Sequence, residues 1–295
     1  MKKADLHIHS FYSSDGEYDI DNIVKKCIQN DVCTFSITDH DTVKGNQEAF
    51  VLARKEGLQF IPGIEIDCNY KGTDLHLLGY GIDWTRDEYE ALEKDIYTKT
   101  MDSFSQMVLN LEKLGIPVDK EMVLQKAKGS LPTGELIAEV LLTDESNTNH
   151  LLNPYRRGGE RSDMPYLNFY LDYFSQNKPA YVKIDYMDYQ DAVNLVKDTG
   201  GIPVVAHPGL NFKGKESIVK ELLEKGACGL EVFNNYHDWD QIAYFAGLVT
   251  ERKLLMTCGS DFHGKIKPVI EIGNFLFSQQ YESYLSESIY KIHKR

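Results

Sequence analysis

Four histidine–carboxylate clusters, each falling where an apolar, strand-like run ends, constrain this chain more than any other feature. They are Asp-Leu-His-Ile-His at 5–9, Thr-Asp-His-Asp at 38–41, Gly-Ile-Glu at 63–65 and Gly-Ser-Asp-Phe-His at 259–263. His76 and His207 follow apolar runs in the same way. Imidazoles and carboxylates gathered at strand ends are what a divalent-metal catalyst on a β/α body needs. The chain reads as a metalloenzyme.

Strand and helix signals alternate from both ends of the chain but not through its middle. Strands are expected at 4–8, 33–38, 59–66 and 74–80, with helical spacing at 19–30 and 45–57. From about 83 to 180 the pattern turns helical, with one long polar helix from Asp87 to Leu114 and further helices near 119–127, 133–142 and 165–176. Alternation then resumes, with strands at 202–206, 229–233 and 254–258 and helices at 188–197, 215–225 and 238–252. The expected organisation is a discontinuous β/α body over 1–82 and 181–295, interrupted by a mainly helical insertion over 83–180 that contributes to substrate binding.

Individual residues sharpen the metal reading. His7 and His9 alternate with Leu6 and Ile8 on a strand, so both imidazoles point to one side and can reach one ion. Glu65 ends the apolar run Phe-Ile-Pro-Gly-Ile-Glu, and Asp261 follows Leu-Leu-Met-Thr-Cys-Gly-Ser. A carboxylate buried there is costly unless a cation neutralises it. Asp261-x-His263 repeats the alternate spacing, and His207 closes Ile-Pro-Val-Val-Ala-His-Pro, where proline stops regular structure. His40 is flanked by Asp39 and Asp41, expected to orient imidazoles. Asp15, in Ser-Ser-Asp-Gly, reads by itself as a turn residue.

Charge and cysteine usage exclude other classes. A formal net charge of −13 argues against a broad basic surface gripping nucleic acid through many phosphates, while leaving room for a short nucleotide in a local site. The five cysteines form no C-x-x-C pair and their odd number resists a disulfide framework, so buried free thiols in a reducing compartment, the cytoplasm, are expected. No stretch approaches a membrane span, and no obligate protein partner is evident.

Asp-Leu-His-Ile-His-Ser, Ile-Thr-Asp-His-Asp, Gly-Ile-Glu-Ile, Val-Ala-His-Pro-Gly and Gly-Ser-Asp-Phe-His-Gly, in that order, resemble the polymerase and histidinol phosphatase (PHP) superfamily. The resemblance implies an α/β fold, a distorted (β/α)7 TIM-like barrel, with a trinuclear metal site. Carried over by position, His7, His9, Glu65 and Asp261 would hold the first metal. Glu65 would bridge to a second completed by His76 and His207, and Asp15, His40 and His263 would hold the third. The helical insertion is similar to that of the branch acting on nucleotide phosphates or the 5′ ends of short RNA. Two positions depart from that branch: Leu210 stands where arginine often follows His-Pro-Gly, and the insertion lacks an Arg-x-His pair.

The resemblance therefore implies a metal-dependent phosphoesterase using three divalent ions, Mn, Fe or Zn. Its substrate would be a nucleoside monophosphate, a 3′,5′-bisphosphonucleotide or the 5′ end of a short oligonucleotide, attacked by a hydroxide bridging two metals. Catalysis is expected to involve Glu65, Asp261 and His237, the last matching a histidine near the family's site. Arg156, Arg157 and Arg161, in a Gly-rich insertion loop, are expected to grip phosphate oxygens, with His237 assisting. Histidinol-phosphate phosphatase is the alternative substrate reading, a metal-dependent amidohydrolase the alternative class. A non-catalytic metal-stabilised module is a third, less favoured because no ligand position is missing.

Overall fold

The computed structural model of the chain describes residues 3–128 and 130–294. The first part runs β1 (Lys3–Asp5), α1 (Ile20–Gln29), β2 (Val32–Ile37), α2 (Gly45–Glu56), β3 (Gln59–Tyr70) and β4 (Thr73–Tyr80). The insertion follows as α3 (Asp87–Lys113), α4 (Lys120–Ala127), α5 (Gly134–Thr143), a 3₁₀ turn (His150–Tyr155) and α6 (Pro165–Tyr173). The chain returns through β5 (Met187–Asp188), α7 (Tyr189–Asp198), β6 (Ile202–Val205), α8 (Pro208–Asn211) and α9 (Ile218–Glu224). It ends with β7 (Gly229–Phe233), α10 (Trp239–Arg252), β8 (Leu255–Cys258) and α11 (Glu282–His293).

Local chemistry sets the helix limits. Asp19 and Asp188 accept backbone N–H groups at the starts of α1 and α7, and Asp238 with Gln241 forms a full capping box on α10. Gly57, at φ 71°, ends α2 in a left-handed turn.

The strands form one mixed sheet in the order β1-β2-β3-β4-β6-β7-β8, with β5 pairing the far end of β3. All neighbours are parallel except β4, which runs antiparallel to both β3 and β6. A strict β/α alternation does not anticipate this. Lys71 (φ 50°) and Gly72 (φ 83°) make a two-residue turn between Tyr70 and Thr73, the geometry that folds a strand directly back on its predecessor. The hairpin also carries β3 four residues beyond the expected 59–66 and sets Asp67 opposite His76.

The ladders form an open path among the described residues, so the architecture is a mixed α/β fold with a central sheet. Its two ends nevertheless meet beyond β1 and β8. Leu6 N–H donates to Cys258 O (3.0 Å), Asp261 N–H to His7 O (2.8 Å) and His9 N–H to Phe262 O (2.9 Å).

One hydrophobic core packs the sheet against α7, α9, α10 and α11, and a second packs α1 and α2 against β2. A third belongs to the insertion, joining Phe104, Val108, Leu111, Ile137, Leu141 and Phe169. α11 is the last helix of the chain and packs against β8. Leu285, Ile289 and Ile292 fall on one buried face, while His293 at its end is exposed. No helix among the described residues is long and apolar enough to cross a membrane. All five cysteines are free thiols.

Candidate metal centre

Segments that follow β1, β2, β6 and β8, together with the β3–β4 hairpin, bring nine side chains to one end of the sheet. Beyond β1 the extended backbone turns His7 and His9 the same way. Their Nε2 atoms stand 3.1 Å apart, both 3.0 Å from Glu65 Oε2 and 3.3 and 3.2 Å from Asp261 Oδ1. His7 Nδ1–H donates to Glu231 Oε1 (3.0 Å), so Nε2 is the nitrogen facing the cluster. The other Glu65 oxygen, Oε1, lies 3.1 Å from both His76 Nδ1 and His207 Nε2. Asp15 Oδ2 lies 3.0 Å from His263 Nε2 and 3.6 Å from His40 Nε2, and His263 stacks on His9.

Backbone features hold these groups in place. Ser13 Oγ donates to Asp15 Oδ1, leaving Oδ2 to the imidazoles. His207 adopts φ 22° ahead of Pro208, a sparsely populated conformation held by its N–H donating to Glu231 Oε2 (2.8 Å). Asp261, at φ 58°, is fixed in the same region, with Lys267 Nζ and the Tyr236 hydroxyl both on its Oδ2. Gly259 passes so close beneath that a Cβ there would come within 2.1 Å of His7 Cβ.

The carboxylates of the cluster are kept ionised by the imidazoles and the ammonium group around them. Burial opposes ionisation of Glu65, but His7, His76 and His40 outweigh it and hold the carboxyl well below its usual range. Burial likewise works against Asp15 and Asp261. His263 and His40 depress the first, and Lys267, His263 and His7 the second. Burial lowers His7 too, yet Glu65, Glu231 and Asp261 hold it well above its ordinary value. Burial wins at His207, which is lowered, and at His263, lowered to about 4.

Imidazole nitrogens packed within 3.1 Å of one another and of carboxylates fit cations better than hydrogen bonds. Tetrahedral bonds of about 2.0–2.1 Å place ligand atoms about 3.3 Å apart, close to the spacing seen here. His263 Nε2 is buried 3.0 Å from Asp15 Oδ2 with no hydrogen-bond geometry between them. Residue type, spacing and the His263 contact all fit divalent metal ions.

The centre opens into a cavity of about 440 Å³ roofed by the insertion. Its floor includes Asp15, His40, Glu65, His76, His207 and Asp261, with His7, His9 and His263 directly behind. Tyr170, Phe174, Tyr181 and Tyr186 form much of the wall. Burial, with Asp15 adding to it, pushes the wall carboxyl of Glu135 up to about 7.

Other expected site residues lie elsewhere. His237 is buried away from the cavity lining. Its Nδ1 donates to Val232 O (2.9 Å) and its Nε2 accepts the Gly209 N–H (2.8 Å), so neither nitrogen is free to meet substrate. Burial lowers it to about 4, and its place is to brace the turn that carries His207.

None of the three loop arginines lines the cavity. Arg161 forms a two-pronged pair with Asp172 (3.1 and 3.0 Å), Arg156 donates to the Asn147 carbonyl, and Arg157 is exposed. Arg161→Ala is accordingly expected to leave KM for a phosphoester within about twofold, because the side chain meets no substrate. Melting should fall by about 1–3 °C, the scale of a half-exposed ion pair. A tenfold rise in KM would return Arg161 to the substrate site.

Asp39 and Asp41 orient backbone, not imidazoles. Asp39 accepts the Ser10 N–H and hydroxyl (2.6 and 2.7 Å), and Asp41 accepts the Asp67 N–H (3.0 Å). The residues missed are Glu231, Asp67, Lys267 and Tyr236. Glu231 gave the same signal as Glu65, an acid inside the apolar strand Gly-Leu-Glu-Val-Phe, and was findable. Asp67, two residues beyond Glu65, stands 3.1 Å from His40 Nδ1 and 3.4 Å from His76 Nε2.

Comparison with known proteins gives a family and a set of relatives. The family model described as PHP domain matches residues 5–233. A phosphoribosyl 1,2-cyclic phosphate 1,2-diphosphodiesterase of Eggerthella lenta is 29% identical over 91% of this chain and 97% of its own. A 5′-3′ exoribonuclease of Haemophilus influenzae is 29% identical, covering 89% and 90%. A 3′,5′-nucleoside bisphosphate phosphatase of Chromobacterium violaceum is 28% identical, covering 89% and 88%. A solved structure from Chromobacterium violaceum, described as an amidohydrolase with bound sulfate, superposes with a TM-score of 0.75 at 24% identity, covering 97% of this chain and 96% of its own. That likeness is one of fold.

Proposed function

The chain belongs to the PHP domain family and is a metal-dependent hydrolytic phosphoesterase, and from that premise we propose that it hydrolyses nucleotide-type phosphomonoesters at a centre of three divalent ions. In this reading His7, His9, Glu65 and Asp261 hold the first ion. Glu65, His76 and His207 hold the second, and Asp15, His40 and His263 the third. The observation that carries it is the Glu65 carboxylate, each of whose oxygens faces its own pair of imidazoles.

Bound there, such ions supply Lewis acidity toward a phosphoryl oxygen and bring the pKa of a water down to about 7. The protein's own side chains supply placement. Lys267 and Tyr236 hold Asp261 Oδ2, so that Oδ1 is the oxygen presented to His7 and His9. Ser13 aims Asp15 in the same manner. The aromatic wall takes the leaving group and excludes water from the floor.

The domain reading belongs to the same proposal. Residues 1–82 and 181–295 act as the metal-binding body, a distorted barrel closed where the segments after β1 and β8 meet, and 83–180 as the insertion that roofs the cavity. The cytoplasm is the location in this reading, and free thiols support it.

Asp67 is assigned to hold His40 and His76 from behind. Asp67→Ala is expected to lower metal affinity by about 10–100-fold, the usual cost of removing a carboxylate that orients ligating histidines. Metal content after dialysis and calorimetric titration read this directly, and unchanged affinity would remove Asp67 from the centre.

The functional test is a turnover screen with Mn, Fe and Zn. It compares nucleoside monophosphates, bisphosphates, short 5′-phosphorylated oligonucleotides, histidinol phosphate, p-nitrophenyl phosphate and a cyclic amide. Phosphate release from a nucleotide is the expected result. Cleavage of the amide with no phosphoester turnover would overturn the proposal.

A further inference from the structure

The outer part of the cavity carries charge of the wrong sign for a second phosphate. Past the floor, Asp74 and Glu135 line the wall, the Glu135 carboxyl raised to about 7 and fully ionised only above neutral pH, and among the described lining residues the lysines and arginines are limited to Lys267. Lys267 is buried and already engaged with Asp261 at the floor. Asp74 accepts from Asn69 Nδ2 (2.7 Å) and from the Tyr181 hydroxyl (3.2 Å), neutral donors that leave its charge unpaired. No arginine among the described residues lines the wall, Arg161 being paired with Asp172 and Arg156 with the Asn147 carbonyl. Leu210, at the mouth, is half-exposed and adds only apolar surface.

A phosphate bound beyond the floor would meet these carboxylates across a partly desolvated gap, and like charges so placed repel strongly. The same wall suits a different leaving group. Tyr170, Phe174, Tyr181 and Tyr186 offer ring faces and edges on which a planar ring can pack, and Asp74 and Glu135 accept hydrogen bonds from amino or hydroxyl groups.

We propose that this cavity selects substrates with one phosphoryl group on an uncharged or cationic, ring-bearing alcohol, and rejects those carrying a second phosphate. The inference rests on the phosphoesterase reading given above. In the reaction, water oxygen forms the new bond to phosphorus as the bond to the alcohol oxygen breaks. That oxygen takes up a proton, and the products are inorganic phosphate and a neutral or cationic alcohol.

The test uses the full chain loaded with Mn and p-nitrophenyl phosphate as reporter. Adenosine 5′-monophosphate and adenosine 3′,5′-bisphosphate, which differ by one phosphate, are compared as competitors and as substrates. The monophosphate is expected to compete with an inhibition constant at least about tenfold lower, and to show kcat/KM at least about tenfold higher if both are turned over. Glu135→Gln, a near-isosteric change that removes the ionisable carboxyl, should narrow the difference by about threefold or more at about pH 8, where that carboxyl is ionised.

Equal or tighter binding of the bisphosphate overturns the inference while leaving the phosphoesterase reading intact. An unchanged ratio in the Glu135→Gln protein overturns the role given to the wall charge. Failure to hydrolyse any phosphoester with Mn, Fe or Zn overturns the underlying reading instead, so the two failures are distinct.

Discussion

Glu65→Gln is expected to reduce kcat by at least about a thousandfold and to leave the protein short of bound metal. The carboxylate is fully buried, and its two oxygens contact four imidazoles at 3.0–3.1 Å with a fifth, His40, at 3.6 Å. Glutamine keeps the volume but loses the negative charge. It also replaces one oxygen with an amide that offers hydrogen where a lone pair is needed, so one of the two imidazole pairs loses its common anion. Metal analysis should show at least one ion fewer per chain after dialysis. Folding should survive, because the imidazoles left without their anion can shed protons and stay neutral, but melting should fall with the lost ion. A Glu65→Gln protein that keeps its full metal complement and kcat within tenfold of the parent would mean that Glu65 bridges nothing.

Chelation is expected to abolish turnover and to lower the melting temperature by on the order of 10 °C, both restored by Mn, Fe or Zn. An ion present at a thousand times its dissociation constant contributes about 4 kcal/mol to the folded state. For a domain of about 150–250 residues each kcal/mol moves melting by about 2–4 °C. Protons replace the ions in the stripped protein, and this sets a sign for pH. Burial opposes protonation of His7 and His40, but neighbouring carboxylates hold both well above 6.5. A raised folded-state value stabilises the protein fully below the unfolded value, and that stability is lost as pH rises through the folded value. The melting temperature of stripped protein should therefore fall from pH 6.5 upward, while the loaded protein changes less, so the gap widens toward alkaline pH. Equal melting temperatures for stripped and loaded protein across that range would count against a metal centre at this site.

How legible each feature was in the sequence followed from how local its cause is. Helix limits at Asp19, Asp188, Asp238 and Gly57 depend on a capping side chain or a left-handed glycine within a few residues, and the expected ranges lie close to the observed ones. Side-chain direction past a strand end is not local in this way. Asp39 and Asp41 sit beside His40 in sequence yet tie backbone elsewhere. His237 is close to the centre but has both nitrogens occupied by main-chain groups. The loop arginines looked suited to phosphate because their count and type were visible. Asp172, which claims Arg161, lies eleven residues on and becomes its partner only once α6 forms.

The sequence by itself determined which residues had the chemistry for a metal centre. Histidines and carboxylates at the ends of apolar runs have no inexpensive structural use, and alternate spacing in a strand makes neighbours such as His7 and His9 act together. Only the tertiary structure decided how those groups meet and what surrounds them. The β3–β4 hairpin sets Asp67 against His76, Glu231 comes in behind His7 from a strand 224 residues away, and the insertion closes over the floor with tyrosines and carboxylates in place of arginines. These outcomes depend on long-range packing, where burial and Coulomb terms among distant segments choose between partners that local sequence leaves equivalent.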